Sequence, residues 1–221
     1  MSDYSGDVVQ GGPTAVRELS HLVVRKASVS EQDNNAYLLT CVQTGEQLLV
    51  DAADDAPRLL ALMNEGTGWL DAVVTTHQHW DHHRALPEVV AHTGARVAAG
   101  ADDAEALPVP VGELLHHGDR VTFGNITLEV IYLRGHTPGS VALLYRDPDG
   151  VPHLFTGDSL FPGGVGNTQG DAERFASLLT DVEQRIFDVL PDETWFYPGH
   201  GADSTLGEQR PHLAEWRERG W

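Results

Sequence analysis

Basic residues are scarce in this chain of 221 residues. Lys and Arg number 14 against 33 Asp and Glu, which gives a formal net charge of −19 at pH 7, and Lys26 is its one lysine. Binding to nucleic-acid phosphates requires clustered Lys and Arg, and anionic membrane surfaces attract the same residues. The composition therefore argues against a nucleic-acid partner and against a membrane partner.

Cysteine and long apolar runs are equally scarce. Cys41 is the one cysteine, so the chain cannot form an internal disulfide, and a structural zinc site would normally use several cysteines. No apolar run approaches the roughly 20 residues of a membrane-spanning helix. The N-terminal sequence MSDYSGDVVQGGP has neither the basic nor the apolar region of a secretory signal. We therefore expect a cytoplasmic protein.

The apolar content is high enough for one sizeable domain. Hydrophobic residues make up 41% of the chain, and five of them are Trp, which predicts a folded core rather than disorder. Three glycines and Pro13 interrupt a polar stretch at the N-terminus. We predict a loose arm over residues 1–20 and a single domain over residues 21–221.

Hydrophobic periodicity predicts a mixed order of strands and helices. The predicted strands are 22–24, 36–42, 47–51, 72–76, 95–99, 120–123, 126–133, 140–145, 151–156 and 194–197. The predicted helices are 54–65, 82–93, about 171–190 and one from about 205. This order lacks the eight regular alternations of an α/β barrel. It favours an α+β fold whose sheets are mostly antiparallel.

Histidine is the residue that stands out, with twelve in the chain, and it is the commonest metal ligand in proteins. Four ligand-type side chains directly follow the predicted strand 72–76, namely His77, His79, Asp81 and His82. Alternate side chains of an extended chain point the same way, so His77 and His79 face one side. The spacing differs from the helical H-E-x-x-H zinc motif. The pattern predicts a metal site at the end of this strand.

Three further candidate ligands lie at the ends of predicted strands, each beside a glycine that permits a sharp turn. His136 lies in a Gly-His-Thr-Pro-Gly turn, Asp158 in Thr-Gly-Asp-Ser-Leu-Phe, and His200 in Pro-Gly-His-Gly. Taken singly, each could serve a structural turn. Their combination with the first motif predicts one shared site.

These motifs, in this order, resemble those of the metallo-β-lactamase-fold hydrolases, and in particular the glyoxalase II-like subgroup. The resemblance covers about residues 21–210. It implies an αβ/βα sandwich, in which two mixed sheets pack face to face with helices outside.

The resemblance also implies a ligand set for two divalent metal ions. His77, His79 and His136 would hold the first ion, and a second set would hold the other, namely Asp81, His82 and His200. Asp158 would bridge both ions. In this subgroup the ions are usually zinc, with iron and manganese as alternatives, and His/Asp ligation does not decide among them.

Two such ions can share a water and lower its pKa towards neutrality, which supplies hydroxide for attack on a carbonyl carbon. We assign Asp81 and Asp158 as the catalytic carboxylates. No G-x-S-x-G nucleophile motif is present in the sequence. The expected activity is hydrolysis of a thioester or ester bond of a small molecule, and the oligomeric state is left open.

The sequence departs from glyoxalase II proper at two places. Asn167 lies about where that family carries a basic residue, and 21 residues follow His200, fewer than its glutathione-binding helical domain needs. Both departures argue against recognition of glutathione without deciding it, and a thioester of another small thiol or a different ester or lactone remains open.

Three alternatives remain at this stage. A persulfide dioxygenase would hold one iron at His77, His136 and Asp158, which are all present. A lactonase or β-lactamase-type hydrolase would use the same fold on another acyl bond. A metal-binding module without turnover is the third alternative.

Overall fold

A computed structural model describes residues 4–220 of the chain. Its first sheet has seven strands in sequence order: β1 (Ala15–Glu18), β2 (Leu22–Ser28), β3 (Asn35–Cys41), β4 (Gln47–Val50), β5 (Ala72–Thr75), β6 (Arg96–Gly100) and β7 (Glu113–Leu115). Strands β1 to β4 pair antiparallel, and β4 to β7 pair parallel.

The second sheet has six strands in the order β15-β14-β11-β10-β9-β8. These are β8 (Arg120–Phe123), β9 (Ile126–Tyr132), β10 (Val141–Arg146), β11 (Pro152–Gly157), β14 (Trp195–Pro198) and β15 (Ser204–Thr205). Strand β14 pairs parallel with β11, and the other pairs are antiparallel. A separate hairpin consists of β12 (Leu160–Phe161) and β13 (Gly164–Val165).

The two sheets pack face to face, and helices cover their outer faces. The core between the sheets includes Leu39 and Val50 from the first sheet and Leu143 and Phe155 from the second. Helices α1 (Ala56–Glu65) and α2 (Leu86–Thr93) pack on the first sheet. Helices α3 (Ala172–Val182), α4 (Leu206–Gln209) and α5 (Leu213–Arg219) lie on the second. The predicted sandwich of two mixed sheets with outer helices is confirmed.

Two predicted helices have different bounds in the structure. Helix α2 begins at Leu86 rather than at residue 82, because Pro87 fits only the first turn of a helix. The segment Trp80–His82 forms a short 3₁₀ turn instead. The predicted helix 171–190 ends as α-helix at Val182 and continues as a π-helical segment over Glu183–Phe187. Within residues 4–220, no helix is long and apolar enough to cross a membrane.

The predicted loose arm is ordered over most of its length. Residues 1–3 lie outside the described residues, but Ala15–Glu18 forms β1 on the edge of the first sheet. Tyr4 packs edge-on against Trp195 and donates a hydrogen bond of 2.8 Å to Asp203 Oδ2. Aromatic packing and sheet pairing therefore hold this segment, and Gly11 and Gly12 lie at the turn that precedes β1.

Lys26 anchors this segment from inside the fold. Its side chain is fully buried, and Nζ lies 2.7 Å from Asp203 Oδ1, 2.7 Å from the carbonyl oxygen of Gly201 and 2.9 Å from that of Gly6. The ammonium group therefore joins the N-terminal segment to the loop that follows β14. A buried charge of this kind is tolerated only because its partners surround it.

Loss of this lysine should destabilise the fold. Replacement of Lys26 with Met leaves the Asp203 carboxylate buried without its cation, and we expect the free energy of unfolding to fall by about 3 kcal/mol. Urea denaturation measures the change. The double variant Lys26→Met/Asp203→Asn removes both charges and should recover part of the loss, and equal stability of the single and double variants would contradict this account.

Candidate metal centre

The proposed ligands all emerge where strands of the two sheets end along one edge of the sandwich. Strand β5 leads into His77, His79, Asp81 and His82. The remaining three ligands follow β9, β11 and β14, namely His136, Asp158 and His200. The fold therefore brings together side chains that lie far apart in the sequence.

The first group of ligand atoms belongs to His77, His79 and His136. Nε2 of His136 lies 3.3 Å from Nε2 of His77 and 2.9 Å from Nδ1 of His79. The three ligand atoms lie within 4.8 Å of one another, as the binding of one ion requires. The structure thus brings together the three residues that the sequence analysis assigned to the first ion.

The second group consists of Asp81, His82 and His200, whose ligand atoms meet the same distance limit. Nε2 of His82 lies 3.2 Å from Nε2 of His200. Asp81 Oδ2 lies 3.4 Å from Nε2 of His200 and 3.6 Å from Nε2 of His82. The structure likewise brings together the three residues that the sequence analysis assigned to the second ion.

Asp158 lies between the two groups. Its Oδ2 is 3.7 Å from Nε2 of His136 and 3.4 Å from Nε2 of His200, while Oδ1 is 3.3 Å from Nε2 of His82. Oδ1 is buried and has no hydrogen-bond partner among the described residues. A Cβ at Gly199 would lie 2.2 Å from this oxygen, so the glycine is what permits the close approach.

Hydrogen bonds on the outer side of the rings orient four of the five histidines. Nδ1 of His136 donates to the carbonyl oxygen of Asn167, and Nδ1 of His200 donates to that of Gln32. These acceptors hold a ring proton on Nδ1, so Nε2 is the nitrogen that faces the site, as in histidines that bind metal. His82 and His77 are oriented in the same way through a carboxylate and a hydroxyl.

That carboxylate is Asp51, which follows β4 and is buried. Its Oδ2 lies 2.9 Å from Nδ1 of His82 and accepts a hydrogen bond of 2.8 Å from Thr76 Oγ1. Since the hydroxyl proton of Thr76 goes to Asp51, its oxygen can accept from Nδ1 of His77 at 3.1 Å. Asp51 therefore orients His82 directly and His77 through Thr76.

The histidines of the first group are held neutral. Burial lowers the pKa of His77 and His79, and it lowers the pKa of His136 to about 4. The proximity of the other rings adds to this effect at His77 and His136. Neutral imidazole is the form that binds metal ions.

The second group attracts positive charge. Burial alone would lower the pKa of His82 and His200, but carboxylates outweigh it, so the pKa of His82 is raised and that of His200 rises to about 10. Burial would raise the pKa of Asp158, but the positive charge of His82 holds it well below its usual range. Two carboxylates facing buried imidazoles form a cluster suited to a cation.

Sequence reasoning missed several residues around the site. Asn34 donates through Nδ2 to Asp81 Oδ2 at 3.1 Å, and its backbone bridges to His200. The sequence analysis did not identify Asp51. Its position directly after β4, at the same edge of the sandwich as the proposed ligands, could have indicated it. His83 is also buried beside the site, and its Nε2 lies 3.0 Å from the carbonyl oxygen of Gln78.

A cavity of about 640 Å³ opens beside the first group. His79 and His136 form part of its wall, together with Arg134, Glu173 and Arg174. Its size is that of a small-molecule site. Trp80 does not line this cavity; it is exposed, and the Arg84 guanidinium stacks on its ring at 3.8 Å.

Comparison with known proteins identifies relatives over most of the chain. Residues 30–200 match the metallo-beta-lactamase superfamily. A hydroxyacylglutathione hydrolase from Fuscovulum blasticum is 42% identical over 171 residues, which cover 76% of this chain and 63% of that relative. A hydroxyacylglutathione hydrolase from a Synechococcus species is 36% identical over 179 residues, which cover 76% of this chain and 65% of that protein. The match thus spans less than two thirds of these relatives.

Solved structures share the fold. ETHE1 from Myxococcus xanthus is 28% identical with a TM-score of 0.76, and the match covers 88% of this chain and 84% of that one. The protein TTHA1623, in a di-iron-bound form, is 32% identical with a TM-score of 0.68, and the match covers 84% of this chain and 96% of that one.

The role of Asp51 can be tested on protein treated with a chelator. Its φ of 59° lies in the left-handed region, which Asn tolerates, so Asp51→Asn preserves the backbone. The amide places a donor where Asp51 accepts from Thr76 and His82, and we expect the free energy of unfolding to fall by about 1–3 kcal/mol in urea denaturation.

Asp54→Asn is the matched control, because Asp54 forms a solvent-exposed ion pair with Arg84 and its loss should cost less than about 1 kcal/mol. Equal stability of the two variants would argue against the orienting role of Asp51.

Proposed function

The chain belongs to the metallo-β-lactamase superfamily, and from this premise we propose that it is a glyoxalase II-like dinuclear metallohydrolase that cleaves a thioester or ester bond of a small molecule. The observation that carries the proposal is the pair of three-atom ligand groups with Asp158 between them. A relative that is 42% identical over 171 residues is named a hydroxyacylglutathione hydrolase.

The residues present fit two metal ions. The neutral rings of His77 and His136 face each other with their Nε2 atoms 3.3 Å apart, and Asp158 Oδ1 is buried without a hydrogen-bond partner among the described residues. Such an arrangement is costly unless a cation lies between the atoms. We propose that the first ion binds the three histidines His77, His79 and His136, that the second binds Asp81, His82 and His200, and that Asp158 contacts both.

Two divalent ions at this site would acidify a water molecule and polarise the carbonyl group of the substrate. The chain itself supplies the geometry. Asn34 holds Asp81 Oδ2 by donating to it, and the pKa of Asp81 is lowered by hydrogen bonds from His200 and Asn34 that outweigh its burial. Asp81 and Asp158 therefore stay ionised at neutral pH, and they are our candidate catalytic carboxylates.

Zinc is the ion we propose, with iron or manganese as alternatives. A structural relative binds two iron ions, and histidine and carboxylate ligands suit each of these metals. The presence of the complete second group favours a dinuclear hydrolase over a mononuclear iron dioxygenase, which would leave Asp81, His82 and His200 without a role.

The cavity beside the first group is our candidate for the substrate site. Arg174 is held there by hydrogen bonds to the carbonyl oxygens of Gly135 and His136. Arg134 pairs with Asp181, whose carboxylate also pairs with Arg185. Glu173 lines the same cavity. A wall with both signs of charge suits a small substrate with polar ends rather than a plain alkyl chain.

Replacement of Asp158 tests the shared ligand. We expect Asp158→Ala to reduce the bound metal from about two ions per chain to fewer than one and to lower kcat/KM by at least about 100-fold. Metal analysis by mass spectrometry and a thioesterase assay measure the two effects. Asp149→Ala, which removes a carboxylate whose side chain is 58% exposed, should change neither. Retained turnover in Asp158→Ala would refute the shared role.

A substrate screen tests the reaction class. Acyl thioesters, esters, lactones and cephalosporins are each assayed with the zinc-loaded protein, and we expect hydrolysis of thioesters or esters with about two zinc ions per chain. A comparison of charged with uncharged thioesters tests whether the charged residues of the cavity wall favour a substrate with polar ends. One iron per chain in the protein as purified, with oxygen uptake on glutathione persulfide and no hydrolysis by the zinc-loaded form, would overturn the proposal.

A further inference from the structure

Asp103 is a buried carboxylate at the edge of the candidate metal centre. It follows β6 and is fully buried. It precedes the short 3₁₀ turn that begins at Ala104, but its side chain makes no capping hydrogen bond to that turn. The carboxylate instead accepts hydrogen bonds from two other loops.

One of these loops carries the first two proposed ligands. The backbone N–H of Gln78 donates to Asp103 Oδ2 at 2.9 Å. Gln78 lies between His77 and His79, so this bond fixes the backbone on which both rings stand. Because adjacent peptide units share each Cα atom, a shift of this N–H would move both imidazoles.

The other loop carries His136. Thr137 Oγ1 donates to Asp103 Oδ2 at 2.5 Å, and the backbone N–H of Gly139 donates to Oδ1 at 2.7 Å. A Cβ at Gly139 would lie 2.5 Å from Asp103 N and 2.9 Å from Oδ1, so the loop is packed directly against the carboxylate. Both oxygens of Asp103 are thus used, and they join the loop of His136 to that of His77 and His79.

The second group of ligands is held by different residues. His82 is oriented by Asp51, His200 by the carbonyl oxygen of Gln32, and Asp81 by Asn34. Among the described residues, the donors to the Asp103 carboxylate are Gln78, Thr137 and Gly139, which adjoin ligands of the first group and no ligand of the second. Its influence on the site is therefore one-sided.

We propose that Asp103 is a positioning residue for the first metal ion: it sets the spacing of His77, His79 and His136 and leaves the second ion unaffected. This inference rests on the proposed function, since it assumes that the two groups hold metal. It adds that a substitution at a residue that contacts neither ion can weaken the binding of one ion without affecting the other.

The variant Asp103→Asn tests this role, because its amide nitrogen faces N–H and O–H donors and cannot accept from them. Zinc affinity is measured by competition with a chromophoric chelator. We expect one of two bound zinc ions to bind at least about 10-fold more weakly, as is usual when an outer partner of a ligand is lost, and the other to bind as in the wild type. Asp102→Asn removes the neighbouring exposed carboxylate and should leave both affinities unchanged.

Paired variants identify which ion is affected. His200→Ala retains the first group, so adding Asp103→Asn should weaken its remaining zinc by about 10-fold. His79→Ala retains the second group, so adding Asp103→Asn should change its remaining zinc little. Circular dichroism checks the fold, and Thr137→Val, which removes one donor without introducing a buried amide, should weaken the same ion to a smaller extent.

The outcomes separate this role from the proposed function. If Asp103→Asn leaves both zinc affinities unchanged, or weakens both to the same degree, the positioning role of Asp103 is refuted. The proposed function is unaffected by that result. A wild-type chain that binds no metal overturns the proposed function and this inference with it.

Discussion

The Nε2 atoms that face one another at the site depend on hydrogen bonds that Nδ1 makes on the far side of each ring. Nδ1 of His136 and Nδ1 of His200 donate to the carbonyl oxygens of Asn167 and Gln32. Nδ1 of His77 donates to the hydroxyl of Thr76, and Nδ1 of His82 donates to the carboxylate of Asp51. This leaves Nε2 of four histidines directed inward at separations as short as 3.2 Å. Such crowding is unfavourable unless positive charge lies between the rings, and it is the constraint that the surrounding loops are built to sustain.

The distance between the two ligand groups depends on the packing of the two sheets. Asp158 extends from β11 of the second sheet, whereas His82 follows β5 of the first. Their close approach therefore requires the core in which Val50 and Leu39 pack against Leu143 and Phe155. A closely packed interior resists compression and small displacements, so the apolar core fixes the spacing of polar atoms at its edge.

The proposed ligands could be nominated from the sequence because each lies beside a predicted strand and in a short recognisable motif. The residues that support them could not. Asp103 reaches Gln78 across 25 residues and Gly139 across 36, and Asp51 reaches His82 across 31. Hydrogen bonds between residues this far apart in the sequence can be predicted only when the order of the strands in the sheet is known. Local signals also misplaced the start of α2, where Pro87 would have marked the first turn.

The N-terminal segment shows that the site draws on residues outside the matched family region. That region covers residues 30–200, yet Lys26 donates to the carbonyl oxygen of Gly201, which directly follows His200. The same ammonium group binds Asp203 and the carbonyl oxygen of Gly6. In a chain with 33 acidic residues and one lysine, that lysine is fully buried where the N-terminal segment meets the loop of a proposed ligand. Since a buried ammonium holds its partners at fixed distances to offset its desolvation, the backbone beside His200 is positioned from a segment that the family match does not include.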